Sequence, residues 1–366
     1  MSLYSVITII LFISVLISVY SISNLENRYI SEYRIGVIER NKKIGNIITV
    51  IFFCNLWFLT AFRSFEIGND TQTYINYFLK IASNGVNQKY AMEMGYQYFC
   101  LLLSKISINP HFFLFFVSTI LYIFISIYVF RYSKNTLFSF CLFFCMFFST
   151  FVNILRQCIA MVICLYAYKQ IKEKNYKKAV IMILVASLFH MSSLVVLILL
   201  LYKFIPIKRK YVLVVSIIVS ILSATGILNN LLVILSSKYR TYFTSEYASS
   251  GWIAVGYGVI RSIIFYWIVY EAYKNNLEKN RLILANFELL LMCSSLGFAV
   301  SLFTRASQYF LLITVVELPN AFYDGKIKNK KLLIIGICFV MLLYFLIILM
   351  YRPEWNYLYP YKFFWE

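Results

Sequence analysis

Long apolar runs constrain this chain more than any other feature of its sequence. A helix needs about 20 residues to cross the roughly 30 Å hydrocarbon core of a bilayer, and it satisfies its backbone hydrogen bonds within one segment. Runs of this length cover residues 3–22, 44–62, 111–130, 211–231, 252–270, 282–303, 306–323 and 332–351. Residues 136–168 have room for two more short spans. The pattern predicts an all-α polytopic membrane protein.

The composition agrees with this class. Only 13% of the residues are charged, against roughly 25% in soluble domains. The net charge of +19 is spread over many short loops, which is typical of topology signals and contacts with anionic membrane lipids, so no nucleic-acid partner is expected. The cysteines form no CxxC pair, and the chain has no GxxxxGK[ST], GxGxxG, HExxH or Asp-x-Asp motif. We therefore predict no metal site and no cofactor.

Basic residues orient the helices. The segments assigned to the cytoplasmic side are 23–43, 131–135, 169–178, 203–210, 271–281 and 324–331, and they hold 23 of the 34 Lys and Arg. Cytoplasmic loops carry such an excess. The asymmetry predicts a single integral membrane domain, residues 1–366, with both termini outside the cytoplasm. Its large extracytoplasmic loop is 63–110, with a short re-entrant or interfacial helix at 96–106, and its second is 236–251.

Residues 179–202 lie between two lysine-rich segments, and a single membrane crossing there conflicts with the orientation that the charges predict. They are long enough for one span, but both flanking segments are cytoplasmic only if the chain crosses an even number of times. We interpret them as two half-length helices that meet at residues 190–193. Broken helices are tolerated at membrane depth where they pack in protein or line a cavity. The prediction is about 10 full transmembrane helices plus this hairpin, or 12 crossings if both halves span.

The densest polar stretch, residues 63–74, directly follows an apolar run. Asp70 or Glu66 is a candidate general base for a substrate hydroxyl, with Asp70 preferred, and Arg63 is a candidate to hold an anion or to orient that acid. The alternative is structural. Asn69 and Gln72 have the spacing of a capping box, in which case the acidic residues only favour the positive end of a helix.

Two further polar residues are candidates on the same side of the membrane. Glu93 precedes the short apolar helix and would be a second carboxylate facing the outer vestibule, or an ordinary loop charge. His190 lies at the apex of the broken helix, where it would donate to a phosphate or shuttle a proton. The alternative for His190 is a packed, hydrogen-bonded ring.

Three arginines lie in apolar helices or at their outer ends: Arg156, Arg261 and Arg305. An arginine in a membrane helix costs about 2.5 to 3.5 kcal/mol on insertion scales, so each needs a partner or a polar cavity. Glu288 and Glu317 are candidate partners. The functional interpretation is an anion clamp, because guanidinium groups bind phosphate oxygens bidentately, and three of them would suit a pyrophosphate.

Several short motifs recur in a characteristic order between about residues 60 and 320. They are Arg63 with Ile67-Gly68-Asn69-Asp70 and Tyr74, Glu93-Met94-Gly95-Tyr96, Asn153 with Arg156-Gln157 and Ala160, Phe189-His190 with Ser192, and Arg305 with Tyr309-Phe310 and Pro319. In these motifs the chain resembles the EpsG-like branch of the Wzy-type polysaccharide polymerases. Each motif is short, so the resemblance rests on their order and spacing.

The resemblance implies an enzyme of the bacterial inner membrane that joins repeat units of O-antigen, capsule or exopolysaccharide at the outer face. Its substrate would be an oligosaccharide on undecaprenyl pyrophosphate, and a chain-length regulator and a flippase of the same pathway would be its partners. A GT-C-like fold follows by analogy only. In that chemistry Asp70, Glu93 and His190 would be catalytic, and Arg63, Arg156, Arg261 and Arg305 would bind the pyrophosphate.

Two other functions remain open. A flippase for lipid-linked oligosaccharides would also have many helices and buried arginines, but it usually has two related halves, which this sequence lacks. A membrane acyltransferase of surface sugars would use His190 as its base. It requires an acidic partner for the histidine, and the neighbouring residues 188–191 supply none.

Overall fold

The computed structural model describes residues 32–90, 92–202, 209–228 and 252–366. The predicted first span, residues 3–22, and the second outer loop, residues 236–251, lie outside these residues. The described part contains helices and no strand. Its α-helices are α1 Glu32–Ala61, α2 Thr71–Asn84, α3 Met94–Ser104, α4 Pro110–Tyr132, α5 Thr136–Asn153, α6 Leu155–Lys172, α7 Tyr176–Ser187, α8 Ile198–Tyr202, α9 Arg209–Ala224, α10 Trp252–Tyr273, α11 Arg281–Leu296, α12 Ser301–Asp324 and α13 Lys330–Tyr351.

Five of these helices are long and apolar enough to cross a membrane, among the residues searched. They are the Lys43–Ala61 part of α1, then α4, α5, α10 and α13. The predicted class, an all-α polytopic membrane protein, is confirmed. The other predicted crossings fall on helices that are shorter, such as the 16-residue α9, or that contain more charged or polar residues, such as α6 and α12.

The predicted run at 282–303 is not one helix. It is divided by a turn, since α11 ends at Leu296 and α12 begins at Ser301. The turn residues Gly297 to Val300 are themselves apolar or small, so the hydropathy pattern does not reveal them. Arg305 therefore lies in the second turn of α12.

The predicted break within residues 179–202 is confirmed. The α-helix α7 ends at Ser187, and Leu188–His190, which we call the apex, is not helical. A 3₁₀ segment, Met191–Leu197, follows the apex and packs back against α7. The 12 residues of α7 rise only about 18 Å, less than the thickness of a bilayer core.

The chain divides into two compact units. Unit 1 comprises Met1–Val162, Leu188–His190 and Lys328–Glu366, and unit 2 comprises Ile163–Ser187 and Met191–Ile327. In unit 1, α1 packs against α4 and α5, α2 against α3, and α13 against α5. In unit 2, α11 packs against α9, α10 and α12.

Polar contacts between helices accompany the apolar packing of unit 1. The Thr49 hydroxyl donates to that of Thr136 at 3.2 Å, and the Trp57 indole donates to the Thr119 hydroxyl at 2.9 Å. Inside a membrane such pairs provide hydrogen bonds to polar groups that lipid tails cannot bind. They fix α1 against α4 and α5, the helices that lead into the polar residues of the candidate site.

Candidate active site

Three of the predicted site residues come together in unit 1 around the carboxylate of Glu93. One oxygen, Oε2, accepts a hydrogen bond from Arg156, and the other, Oε1, lies 3.1 Å from Nδ1 of His190. The side chains of Glu93, Arg156 and His190 are 19%, 20% and 15% exposed. We call these residues the Glu93 cluster. It is enclosed enough to strengthen charge interactions, yet it is reachable from outside the protein.

A close approach between α3 and the apex brings Glu93 to His190. Glu93 is the N-cap of α3 and has an extended backbone, and the Tyr96 amide donates to the Leu188 carbonyl at 3.2 Å. A Cβ atom on Gly95 would lie 2.5 Å from the Cβ of Leu188 and 2.7 Å from its carbonyl oxygen. Only glycine permits this distance, because Cβ atoms do not approach other atoms so closely. Gly95 thus has a packing role that its place in a loop motif did not reveal.

The position of Arg156 follows from the break between α5 and α6. The chain leaves the helical conformation at Ile154, and Arg156 is the second residue of α6. Its guanidinium interacts with the Tyr74 side chain and lies 6.0 Å from the centre of the Tyr96 ring. Two aromatic side chains, one from α2 and one from α3, therefore lie beside the cation next to Glu93.

Tyr74 links this cluster to Asp70. The two residues are one turn apart at the start of α2, on one face of that helix. Burial raises the pKa of Tyr74 to about 12, the charge of Arg156 opposes this shift, and the charge of Asp70 adds to it. Tyr74 is therefore a neutral hydroxyl at physiological pH. Its hydroxyl interacts with the charges of both the Asp70 carboxylate and the Arg156 guanidinium.

The capping-box alternative for this stretch does not form. Asp70 itself is the N-cap of α2, without a side-chain cap hydrogen bond. Gln72 bonds to Asn76 at 3.0 Å, and the Asn69 amide donates to the carbonyls of Glu354 and Trp355 at 3.3 and 3.1 Å. The side chain of Asp70 therefore does not cap α2, and its catalytic role stays a prediction.

The structure encloses Arg63 completely. Its side chain is 0% exposed and donates to the carbonyls of Thr60 and Val152, the latter at 3.1 Å. Burial lowers the pKa of Arg63 to about 10, so the group is still cationic at neutral pH. A guanidinium that donates to backbone carbonyls stabilises the loop after α1. The contact of Arg63 with an anion stays a prediction.

The remaining two arginines belong to unit 2. Arg261, on α10, lies 5.4 Å from the centre of the Tyr257 ring, and Arg305 is an exposed residue of α12. The glutamates named as their candidate partners make other contacts. Tyr266 donates to Glu288 at 2.8 Å, and Lys172 pairs with Glu317 at 2.7 Å. Convergence of Arg156, Arg261 and Arg305 on one ligand stays a prediction.

The pairing of His190 with Glu93 has a chemical consequence. A carboxylate that accepts a hydrogen bond from Nδ1 fixes the tautomer in which Nε2 has a lone pair. Such a histidine can take a proton from a hydroxyl group, and the carboxylate stabilises the imidazolium that results. Arg156 on the other carboxylate oxygen supplies a positive charge beside the same site.

Comparison with known proteins supports the resemblance found in the motifs. Residues 46–363 match the sequence model of the EpsG family, whereas no curated protein and no solved structure matches the chain. EpsG-like proteins are similar to Wzy-type polymerases, and the predicted recognition is confirmed. The match indicates a polysaccharide polymerase-like glycosyltransferase in a membrane. Since the matched residues cover most of the chain, the protein belongs to the EpsG family.

Proposed function

We propose that this protein joins oligosaccharide repeat units carried on undecaprenyl pyrophosphate into O-antigen, capsule or exopolysaccharide. The Glu93 cluster is the observation that carries the proposal, because it combines a proton acceptor with a cation in one partly enclosed place. Transfer would occur at the outer face of the bacterial inner membrane, with both termini outside the cytoplasm. The flippase and the chain-length regulator of the same pathway would be its partners.

In the proposed step, a hydroxyl of the acceptor sugar attacks the anomeric carbon of the growing chain. Nε2 of His190 takes the hydroxyl proton, and Glu93 stabilises the imidazolium that forms. The new bond between the anomeric carbon and the acceptor oxygen replaces the bond between that carbon and the pyrophosphate. Undecaprenyl pyrophosphate leaves with the electron pair of the broken bond. Asp70 is the alternative base. In that case Tyr74, which interacts with both side chains, would couple the charge of Asp70 to the charge of Arg156.

The arginines would act on the leaving group. Glycosyl transfer passes through an oxocarbenium-like state while negative charge grows on the departing pyrophosphate. A guanidinium placed there beforehand stabilises the transition state more than the ground state. Arg156 would serve this role beside the base, and Arg261 and Arg305 would join it if they reach the same pyrophosphate.

The test is complementation of a strain that lacks the gene. Variants His190→Ala, Glu93→Gln, Asp70→Asn and Arg156→Lys are expressed at equal levels, and the surface polysaccharide is separated by length. We expect the His190 and Glu93 variants to display single repeat units in place of a ladder. Glu173→Gln is the matched control, because Glu173 pairs with Lys169 at 3.1 Å on the surface. Wild-type ladders from both Glu93→Gln and His190→Ala would contradict the assignment.

The same experiment separates the flippase. A strain without the flippase accumulates its repeat units inside the cell and displays none. A strain without the polymerase still displays single units. Single units on the surface of the deletion strain therefore support polymerisation, and complete loss of surface units would favour transport.

A membrane acyltransferase is the second candidate, because His190 does have an acidic partner, Glu93, at 3.1 Å. A histidine with a carboxylate partner also suits acyl transfer. The two reactions differ in product. Loss of an acyltransferase removes ester groups from a polymer of normal length, and ester analysis of the polysaccharide from the deletion strain measures this directly.

A further inference from the structure

A single amide side chain, Asn153, connects three segments next to the Glu93 cluster. Its Oδ1 accepts a hydrogen bond from the backbone amide of Asn69 at 2.5 Å. Its Nδ2 donates to the carbonyl of Ser149 at 2.9 Å and to that of Asn356 at 3.3 Å. Asn153 is buried, so a lost bond would leave a backbone group without its partner.

The third segment is the C-terminal tail, residues 352–366. Backbone bonds join it to the loop after α1 in several places. The Gly68 amide donates to the Tyr357 carbonyl at 3.0 Å, the Ser64 amide to the Lys362 carbonyl at 3.0 Å, and the Phe364 amide to the Phe62 carbonyl at 3.1 Å.

The conformation of the loop depends on these contacts. Gly68 has a φ of +91°, which L side chains rarely adopt, and its amide donates to the tail. Lys362 also pairs with Glu66 at 2.8 Å. The tail thus covers the turn that leads into Asp70 and holds it in its observed shape.

Asn153 stands at the junction of these contacts. Its oxygen binds the residue before Asp70, and in the chain it lies three residues before Arg156. Asp70 and the cluster residue Arg156 therefore depend on one amide group for their relative position. Misplacement of about 1 Å in an active site can reduce a rate by about 100-fold.

We propose that Asn153, with the tail bound to it, is a positioning residue that aligns Asp70 and Arg156 for glycosyl transfer. The C-terminal tail, residues 352–366, then contributes to the geometry of the active site. The inference rests on the proposed function, since it assigns a role within that reaction.

The test uses the full-length protein in liposomes with an undecaprenyl-pyrophosphate-linked repeat unit. Asn153→Leu has a similar volume and removes every hydrogen bond of the amide. Asn153→Asp still accepts from Asn69 but cannot donate to Asn356. Asn55→Leu is the matched control, because Asn55 donates to the carbonyl of Ile51 at 2.9 Å, four residues earlier in its helix.

We expect Asn153→Leu to lower kcat about tenfold or more and to change KM less than twofold, because an aligned geometry is needed mainly in the transition state. Asn153→Asp should retain more activity than Asn153→Leu. A chain that ends at Trp355 should resemble Asn153→Leu, because it lacks the Asn356 carbonyl that accepts from Asn153. The control Asn55→Leu should retain wild-type kcat and KM.

A double-mutant cycle separates positioning from simple loss of folded protein. In an Asp70→Asn background, Asn153→Leu should cost much less than in the wild type, because the residue that it aligns is already disabled. Equal costs in both backgrounds, or wild-type kcat in Asn153→Leu, would overturn the inference alone. If the wild-type protein in liposomes joins no units, the proposed function fails and this inference falls with it.

Discussion

Glu93 and His190 are 97 residues apart in the chain, yet a carboxylate oxygen of Glu93 lies 3.1 Å from the imidazole Nδ1. The apex of a broken helix and the first turn of a short helix meet at this point. A histidine that lacks an acidic neighbour in its own segment thus obtains one from the N-terminus of α3. This pair, with Arg156 on the second oxygen, gives the proposed reaction its base and its cation.

Replacing Glu93 by Gln should nearly abolish the reaction. The amide preserves the shape of the side chain but removes the charge that stabilises the His190 imidazolium and pairs with Arg156. We expect the rate of repeat-unit joining to fall by about 100-fold or more, the usual contribution of a general acid or base. Initial rates in proteoliposomes measure this. The variant Glu173→Gln should be unaffected, and an active Glu93→Gln would exclude Glu93 from the mechanism.

Replacing Gly95 by Ala should separate α3 from the apex. The added Cβ would lie 2.7 Å from the Leu188 carbonyl oxygen, so the backbone must shift. We expect a loss of about 1 to 3 kcal/mol in the free energy of unfolding, as for other overpacked sites. Activity should fall with it as Glu93 moves away from His190.

The control for Gly95 is Gly336→Ala, since a Cβ at Gly336 meets nothing within 4 Å. Thermal unfolding in detergent and polymer length in cells measure the two effects. If Gly95→Ala matches Gly336→Ala in both, the close contact between α3 and the apex is not needed.

Replacing Lys172 by Met should destabilise unit 2. Lys172 pairs at 2.7 Å with Glu317, whose side chain is only 4% exposed. Removal of the lysine leaves a buried carboxylate unpaired, which we expect to cost about 1 to 3 kcal/mol, because the lysine itself is partly screened by solvent. Lys169→Met is the control, since its partner Glu173 is exposed. Similar unfolding temperatures for the two variants would contradict the prediction.

Tyr74 should make stability depend on pH only in strong alkali. Its pKa is raised from 10.0 to about 12 in the folded protein by burial, so the folded state disfavours the phenolate. The stability that the buried neutral hydroxyl provides is complete below pH 10 and is lost as the pH rises through 12. The difference in unfolding temperature between wild type and Tyr74→Phe should therefore be constant from pH 7 to 9 and should change above pH 10. A change near pH 8 would contradict the assigned pKa.

Much of the fold follows from local patterns. The helices α4 and α13 agree closely with their predicted runs, because a span of hydrocarbon demands a run of apolar residues. The charges on either side of residues 179–202 predicted a break at 190–193, and the structure has its non-helical residues at 188–190. The turn after Leu296 was missed because its own residues are apolar.

The candidate site could be predicted only in part. Glu93, Arg156 and His190 stood out separately, because polar residues in such a chain are costly and therefore few. Tyr74, Gly95 and Asn153 belonged to recognised motifs but received no role. The spacing of Asp70 and Tyr74, one helical turn, was the available signal for Tyr74.

The sequence by itself determined the class of protein, the main helices and the polar residues worth attention, since each depends on short-range chemistry: hydropathy, charge and helical spacing. The tertiary structure decided which of these residues share a site. It pairs His190 with Glu93, encloses Arg63 among carbonyls and places the tail over Gly68. Such contacts arise from packing between segments far apart in the chain, and no local pattern specifies the partner.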